Sequence, residues 1–161
     1  MAEIKGNLAY YPRIENVNAA EEFAKEYRGR YVLFGEYGLS PFLMKIDESL
    51  SPRPLVEVLL SNKNRQLFAD FIRSAHAAGF SGAVIASGPF EKKAHMPMPV
   101  FDIDTAQALH IAMEMKKAEV FPNDFLIGVR AAAESEPATL RARSFLDSGA
   151  DFIVLSNEKL I

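Results

Sequence analysis

"PLVEVLLSNKNRQLFADFIRSAHAAGFSGAVIASG", residues 54–88, decides the fold class. Its opening, "PLVEVLL" (54–60), reads as a strand bounded by Pro and Ser. Leu67, Phe68, Phe71, Ile72 and Ala75 then fall on one face at helical spacing, and Gly79 stands where a C-terminal cap belongs. "GAVIASG" (82–88) returns to an apolar strand. Strand, helix, strand in so short a span is a crossover unit, which makes the two strands parallel.

The same alternation extends in both directions. "NLAYY" (7–11) and "RYVLFGEYG" (30–38) read as strands, and between them Asn18 with Glu21 forms an N-cap pair ahead of Ala20, Phe23, Ala24 and Tyr27. The connection 39–54 carries three Pro and leaves room for one short helix at most. Downstream, Asp104 caps a helix with Ala108, Ala112 and Met115 inward, and "FLIGVRA" (125–131) follows as a strand. Ser135 and Pro137 start a further helix, with Ala138, Ala142, Phe145 and Leu146 as its inner stripe. Gly149 ends that helix, and "DFIVLS" (151–156) closes the series. The expectation is one α/β domain over 1–161, a six-strand parallel βα arrangement. It is either a partial TIM barrel or an open doubly wound sheet.

Composition narrows the functions open to such a domain. The chain has 161 residues, 49% apolar and 24% charged, with basic and acidic residues interleaved around a net charge of −3. That pattern lacks the clustered Lys and Arg of a nucleic-acid binder. No run approaches the ~20 apolar residues of a membrane span, and "MAEIKGNLAYY" does not resemble a signal peptide, so a cytoplasmic location is expected. With no Cys, and with His76, His95 and His110 scattered, no metal site is expected.

Ligands of parallel α/β sheets bind at the C-terminal ends of the strands. Here those ends carry Tyr10, Tyr11, Glu36, Tyr37, Ser61, Asn62, Ser87, Gly88, Arg130, Glu134, Ser156 and Asn157, below a long irregular segment, 88–101. A carboxylate inside "LVEVLL" requires a partner, and Arg130, ending a nearby strand, supplies one for Glu57. A structural ion pair in the lumen, an edge-strand charge facing water and a catalytic base are all consistent with that placement. Asp102 and Asp104 read as helix N-caps, Asn64 and Arg65 begin a helix, and Gly88 reads as a turn residue.

The segment 61–88, with "PVFDIDTAQAL" (99–109), "FLIGVRA" and "FLDSGADFIVLS" (145–156), resembles the methylenetetrahydrofolate reductase family. "YYPR" (10–13) and "VLFGEYGLS" (32–40) sit where that family's first two strand ends fall. The resemblance implies a flavin-dependent barrel of eight βα units, of which this chain matches about the first six. In such a barrel FAD reduces a one-carbon group carried by a folate. It places the cofactor along Asn64, Arg65, Ser87, Gly88, Asp102, Asp104 and Arg130, with His95 in the covering loop, and the substrate near Tyr11, Tyr37 and Ser156.

Several family positions differ. The acid Glu of the first strand is Ala9, the Asp after the fourth strand is Pro89, a third-strand His is Glu57, and the closing Thr-Gln is Leu155-Ser156. Alanine cannot donate a proton. The resemblance therefore implies either an oxidoreductase in which Glu57 or Glu36 takes over acid–base work, or a catalytically inactive relative that acts as a binding or assembly subunit. An open six-strand arc has two edges, and a homo-oligomer or partner subunit is the expected cover.

Overall fold

Residues 54–88 form the expected unit: β3 (Arg53–Leu59), a 3-10 turn (Leu60–Asn62), α2 (Arg65–Ala77) and β4 (Gly82–Ala86). The computed structural model describes residues 8–13, 17–27, 29–37, 45–47, 49, 51–88, 102–132 and 135–156. Within these, the side chains of 9–13, 17, 19, 20, 23, 24, 36, 37 and 156 lie outside the description. The remaining elements are β1 (Leu8–Arg13), α1 (Val17–Glu26), β2 (Tyr31–Tyr37), α3 (Thr105–Lys117), β5 (Leu126–Ala132), α4 (Glu136–Asp147) and β6 (Phe152–Ser156). Among the described residues no helix is long and apolar enough to cross a membrane.

The six strands pair in chain order, β1-β2-β3-β4-β5-β6, and every pairing is parallel. A doubly wound sheet reverses its strand order at a switch point; this sheet has none. Helices α2, α3 and α4 share one face. Buried residues of α2 and α3, with Phe145 of α4, join Val32, Phe34, Val56, Val58, Ala83, Ile85, Ile127 and Val129 in the main core. The opposite face carries strand residues alone: Tyr31, Leu33, Leu55, Val84, Phe152 and Val154, flanked by Leu8 and Leu126. Sequential parallel strands with helices outside and a separate apolar lining inside make an α/β partial barrel. Burial on both faces explains the nearly unbroken apolar run of β3.

Some local expectations shift. Asn18 is the second residue of α1 rather than its cap. Leu67 is 42% exposed, because the buried stripe of α2 runs through Phe68, Phe71, Ile72 and Ala75 and residue 67 lies about 100° to one side of it. Among the described residues of the β2–β3 connection none is helical. Ile46 there is buried and its N–H donates to the Ala78 carbonyl at 2.7 Å, which ties the link to the end of α2.

Three helices end alike. Gly79 (φ 96°) and Gly149 (φ 106°) follow α2 and α4 in the left-handed region, and their N–H groups return to His76 O and Leu146 O. After α3 the same place is held by Glu119 at φ 55°, whose N–H returns to Lys116 O. A side chain in that region is disfavoured by roughly 1–2 kcal/mol, part of which glycine recovers after its larger loss of chain entropy. Glu119→Gly should therefore raise stability by about 0.5–1 kcal/mol. A urea midpoint no higher than that of the wild type would count against this.

Candidate functional site

Along β3 the side chains alternate, so Leu55 and Glu57 point into the concave face and Val56 and Val58 point toward the helices. Register places Glu57 beside Val84, Val84 beside Gly128, and Gly128 beside Phe152; Arg130 and Val154 lie two residues further toward the C-terminal rim. Arg130 Nε donates to Glu57 Oε1 at 2.7 Å, an ion pair that reaches from β5 past β4 to β3. Only 5% of the Glu57 side chain is exposed, against 25% of Arg130, so the carboxylate is the inner partner and the guanidinium the one nearer solvent. The low-dielectric surroundings strengthen their attraction, while two buried charges have also lost their hydration. The pair sits above an apolar floor in which the Phe152 ring occupies the space a Cβ at Gly128 would need.

The rim beside the pair is built from the β3–α2 and β4–α3 connections. Ser61 N–H donates to Ser87 O at 3.0 Å, and Gly88 (φ 86°) packs so closely on the Ser61 side chain that a Cβ would collide with it. Gly88 is thus required by its backbone conformation and by this contact. Asn64 caps α2 by accepting from Leu67 N–H at 2.8 Å, and Asp102 accepts from Arg65 N–H at 3.0 Å, which joins the two connections. The exposed residue Arg65 makes that link through its backbone. Asp104 forms a capping box with Gln107 at the start of α3. Asn64 and Asp104 are therefore engaged as caps, and Asp102 in the link between the two connections.

Lys63 was not singled out by sequence reasoning, yet it is 2% exposed. Its Nζ donates to Leu59 O at 3.1 Å and to Asn62 Oδ1 at 2.7 Å, and it lies 4.7 Å from the centroid of the Phe71 ring. This ammonium satisfies a carbonyl at the end of β3 and lies on the helix side of the sheet, since Phe71 belongs to the outer core. A lysine three residues past the apolar run 54–60 was the available signal.

Of the other named residues, Tyr10, Tyr11, Glu36, Tyr37 and Ser156 lie in β1, β2 and β6, with side chains outside the description. Ala9 lies in β1 opposite Val32. His95, Pro89, Glu134 and Asn157, and most of the covering segment, lie outside the described residues. Among the described residues no group of three or more His, Cys, Asp or Glu could hold a metal ion.

No family model matches the chain, and no curated protein matches it. Solved structures do. A 2,3-dimethylmalate lyase of the PEP mutase/isocitrate lyase superfamily superposes with a TM-score of 0.60 at 14% identity, covering 93% of this chain and 58% of the lyase. Oxaloacetate acetylhydrolase in complex with 3,3-difluorooxalacetate gives 0.63 at 13% identity, covering 95% and 60%. A putative phosphonomutase from Burkholderia cenocepacia J2315 gives 0.59 at 17%, covering 92% and 67%. What the chain shares with them is the fold. It spans about 58–60% of the length of the first two.

These likenesses overturn the methylenetetrahydrofolate reductase resemblance, and with it the expectations of FAD, of a folate substrate and of an oxidoreductase. The residues that carried the resemblance explain why it misled. Asn64, Asp104 and Gly79 are helix caps, Asp102 joins two connections, and Gly88 makes a close packing contact. Parallel βα barrels of many chemistries require such devices.

Proposed function

We propose that the C-terminal end of this partial barrel binds a small dicarboxylate and supports lyase, hydrolase or mutase chemistry of the kind named in its structural neighbours. The observation that carries the reading is the Arg130–Glu57 pair on the concave face, with Arg130 two residues nearer the C-terminal rim than the level of Glu57. A guanidinium offers parallel N–H donors matched to a carboxylate, and held by a buried acid it loses little freedom on binding. In this reading Arg130 grips one carboxylate of the ligand and Glu57 is a positioning residue that fixes the guanidinium. Tyr11, Tyr37 and Ser156, in β1, β2 and β6, are proposed as further contacts. Two neighbours supply the substrate class: the names 2,3-dimethylmalate and oxaloacetate both denote four-carbon-backbone dicarboxylates, and oxalate is described as the acetylhydrolase's product.

Oxalate titrated calorimetrically into the wild type should bind saturably. In Arg130→Lys, which keeps the charge and loses the fork, the affinity should fall at least about tenfold, in line with one charge-assisted hydrogen bond. Equal affinity in the two proteins, or no saturable binding to the wild type, would sink the reading.

A further inference from the structure

A second concave site lies at the opposite end of the sheet. A cavity of about 250 Å³ opens beneath the N-terminal ends of β3, β4 and β5, lined by Arg53, His76, Ser81, Asp124 and Phe125 among others. At ~30 Å³ per water it holds on the order of eight waters, the size of a small metabolite. Its polar groups come from separate elements. Arg53 opens β3, His76 lies in the last turn of α2, Ser81 precedes β4, and Asp124 belongs to the α3–β5 connection. The Arg53 guanidinium has five N–H donors. Among the described residues its side-chain hydrogen bonding amounts to one long bond, Nη2 to Asp124 O at 3.5 Å. The His76 ring is held edge-to-face on Phe125, centroids 5.5 Å apart at 90°, and among the described residues its nitrogens make no hydrogen bond.

The walls are fixed while these donors are uncommitted. Phe80 and Phe125 are buried in the main core, and Ser81 is pinned through its backbone to Pro54 O and Leu126 N–H at 2.8 and 3.0 Å. Donors from two elements converging on a polar cavity with rigid walls recognise an acceptor-rich group. We infer that this crevice binds the oxyanion of a small molecule, a carboxylate or a phosphate, through the Arg53 guanidinium and the His76 imidazole. Asp124, exposed at the rim, sets a limit on the charge: a compact anion fits, whereas a bulky polyanion meets a like charge. β3 has seven residues from Arg53 to Leu59, so at a rise of ~3.3 Å per residue the C-terminal rim lies about 20 Å away. A ligand here does not touch Arg130 or Glu57. It bridges the starts of three strands and the end of α2, which suits an effector rather than a reactant.

The test follows the His76 imidazole C–H resonance by NMR, assigned by its loss in His76→Gln, while inorganic phosphate or acetate is added at fixed pH and matched ionic strength. The expected result is a saturable shift of that resonance with at least one of the two anions, weakened at least tenfold in Arg53→Gln and unchanged in Arg130→Lys. The phosphate and acetate arms decide between the two oxyanion sources. Absence of a saturable shift with either anion overturns the inference, as does a shift that persists undiminished in Arg53→Gln. Because the readout is at His76, failure of oxalate binding at Arg130 leaves this result unaffected.

Discussion

Arg130→Met is expected to destabilise the fold by about 3–5 kcal/mol, the usual loss when one partner of a buried ion pair is removed. The reason is the position of Glu57. Its carboxylate is nearly inaccessible, in a face otherwise lined by Leu33, Leu55, Val84 and Phe152, and the variant deletes its 2.7 Å partner. Glu57→Ala should cost less, about 2–3 kcal/mol, because the guanidinium is a quarter exposed and can turn its charged end to water. Replacing both, as Glu57→Leu with Arg130→Met, should return stability to within ~1 kcal/mol of the wild type or above it, since two desolvated charges are then exchanged for apolar packing. Equilibrium urea unfolding of the four proteins closes the cycle. A double variant as unstable as the sum of the singles would mean that the two residues do not act as a pair. The proposed function adds a second readout: the double variant should fold and fail to bind oxalate. In that case stability does not account for the pair's presence, and ligand recognition does.

The crossover unit at 54–88 and the helix-end signals at Gly79, Asp104, Ser135 and Gly149 were legible because they depend on residues within a few positions of one another. The Glu57–Arg130 pair was legible for a different reason. A lone carboxylate in an apolar strand demands a partner, and the strand alternation left Arg130 at a suitable end. Sequence alone left the choice between a barrel and a doubly wound sheet open, since both share the βα alternation and differ only in which strands become neighbours. Lys63 was missed because its partners, a carbonyl at Leu59, the Asn62 amide and the face of Phe71, become apparent only when α2 folds back over β3. Asp151 is similar. In the sequence it reads as the first residue of the last strand, yet it precedes β6, and its carboxylate accepts from Ile127 N–H at 2.7 Å and from Lys116 Nζ at 3.0 Å, joining β5 and α3. The family resemblance failed at the same boundary, because the residues that recurred were those that any such scaffold needs.

Gly128 and Phe152 give the other large effect, and here the sign should reverse with background. The two residues are neighbours in the β5–β6 register, and Phe152 is 1% exposed, its ring lying in the volume that a Cβ at 128 would occupy. Phe152→Ala should cost about 3–5 kcal/mol, from lost apolar burial and the cavity left in the inner face. Gly128→Ala should cost about 2–3 kcal/mol, because the methyl group displaces a ring walled in by Val84, Leu55 and Val154. In the Phe152→Ala background the same Gly128→Ala change meets open space. It should then be neutral or stabilising by up to ~1 kcal/mol, since alanine fills part of the cavity and loses less chain entropy than glycine. Urea midpoints of the four proteins test this, and additive losses would show that the ring does not rest on Gly128. The consequence reaches the candidate site, because Glu57, Val84, Gly128 and Phe152 lie at one level of the sheet. A glycine on β5 leaves room for the β6 ring on the concave face, and that ring adds to the apolar lining around the carboxylate. Loss of the ring should therefore weaken oxalate binding along with the fold, through hydration of the pair that orients Arg130.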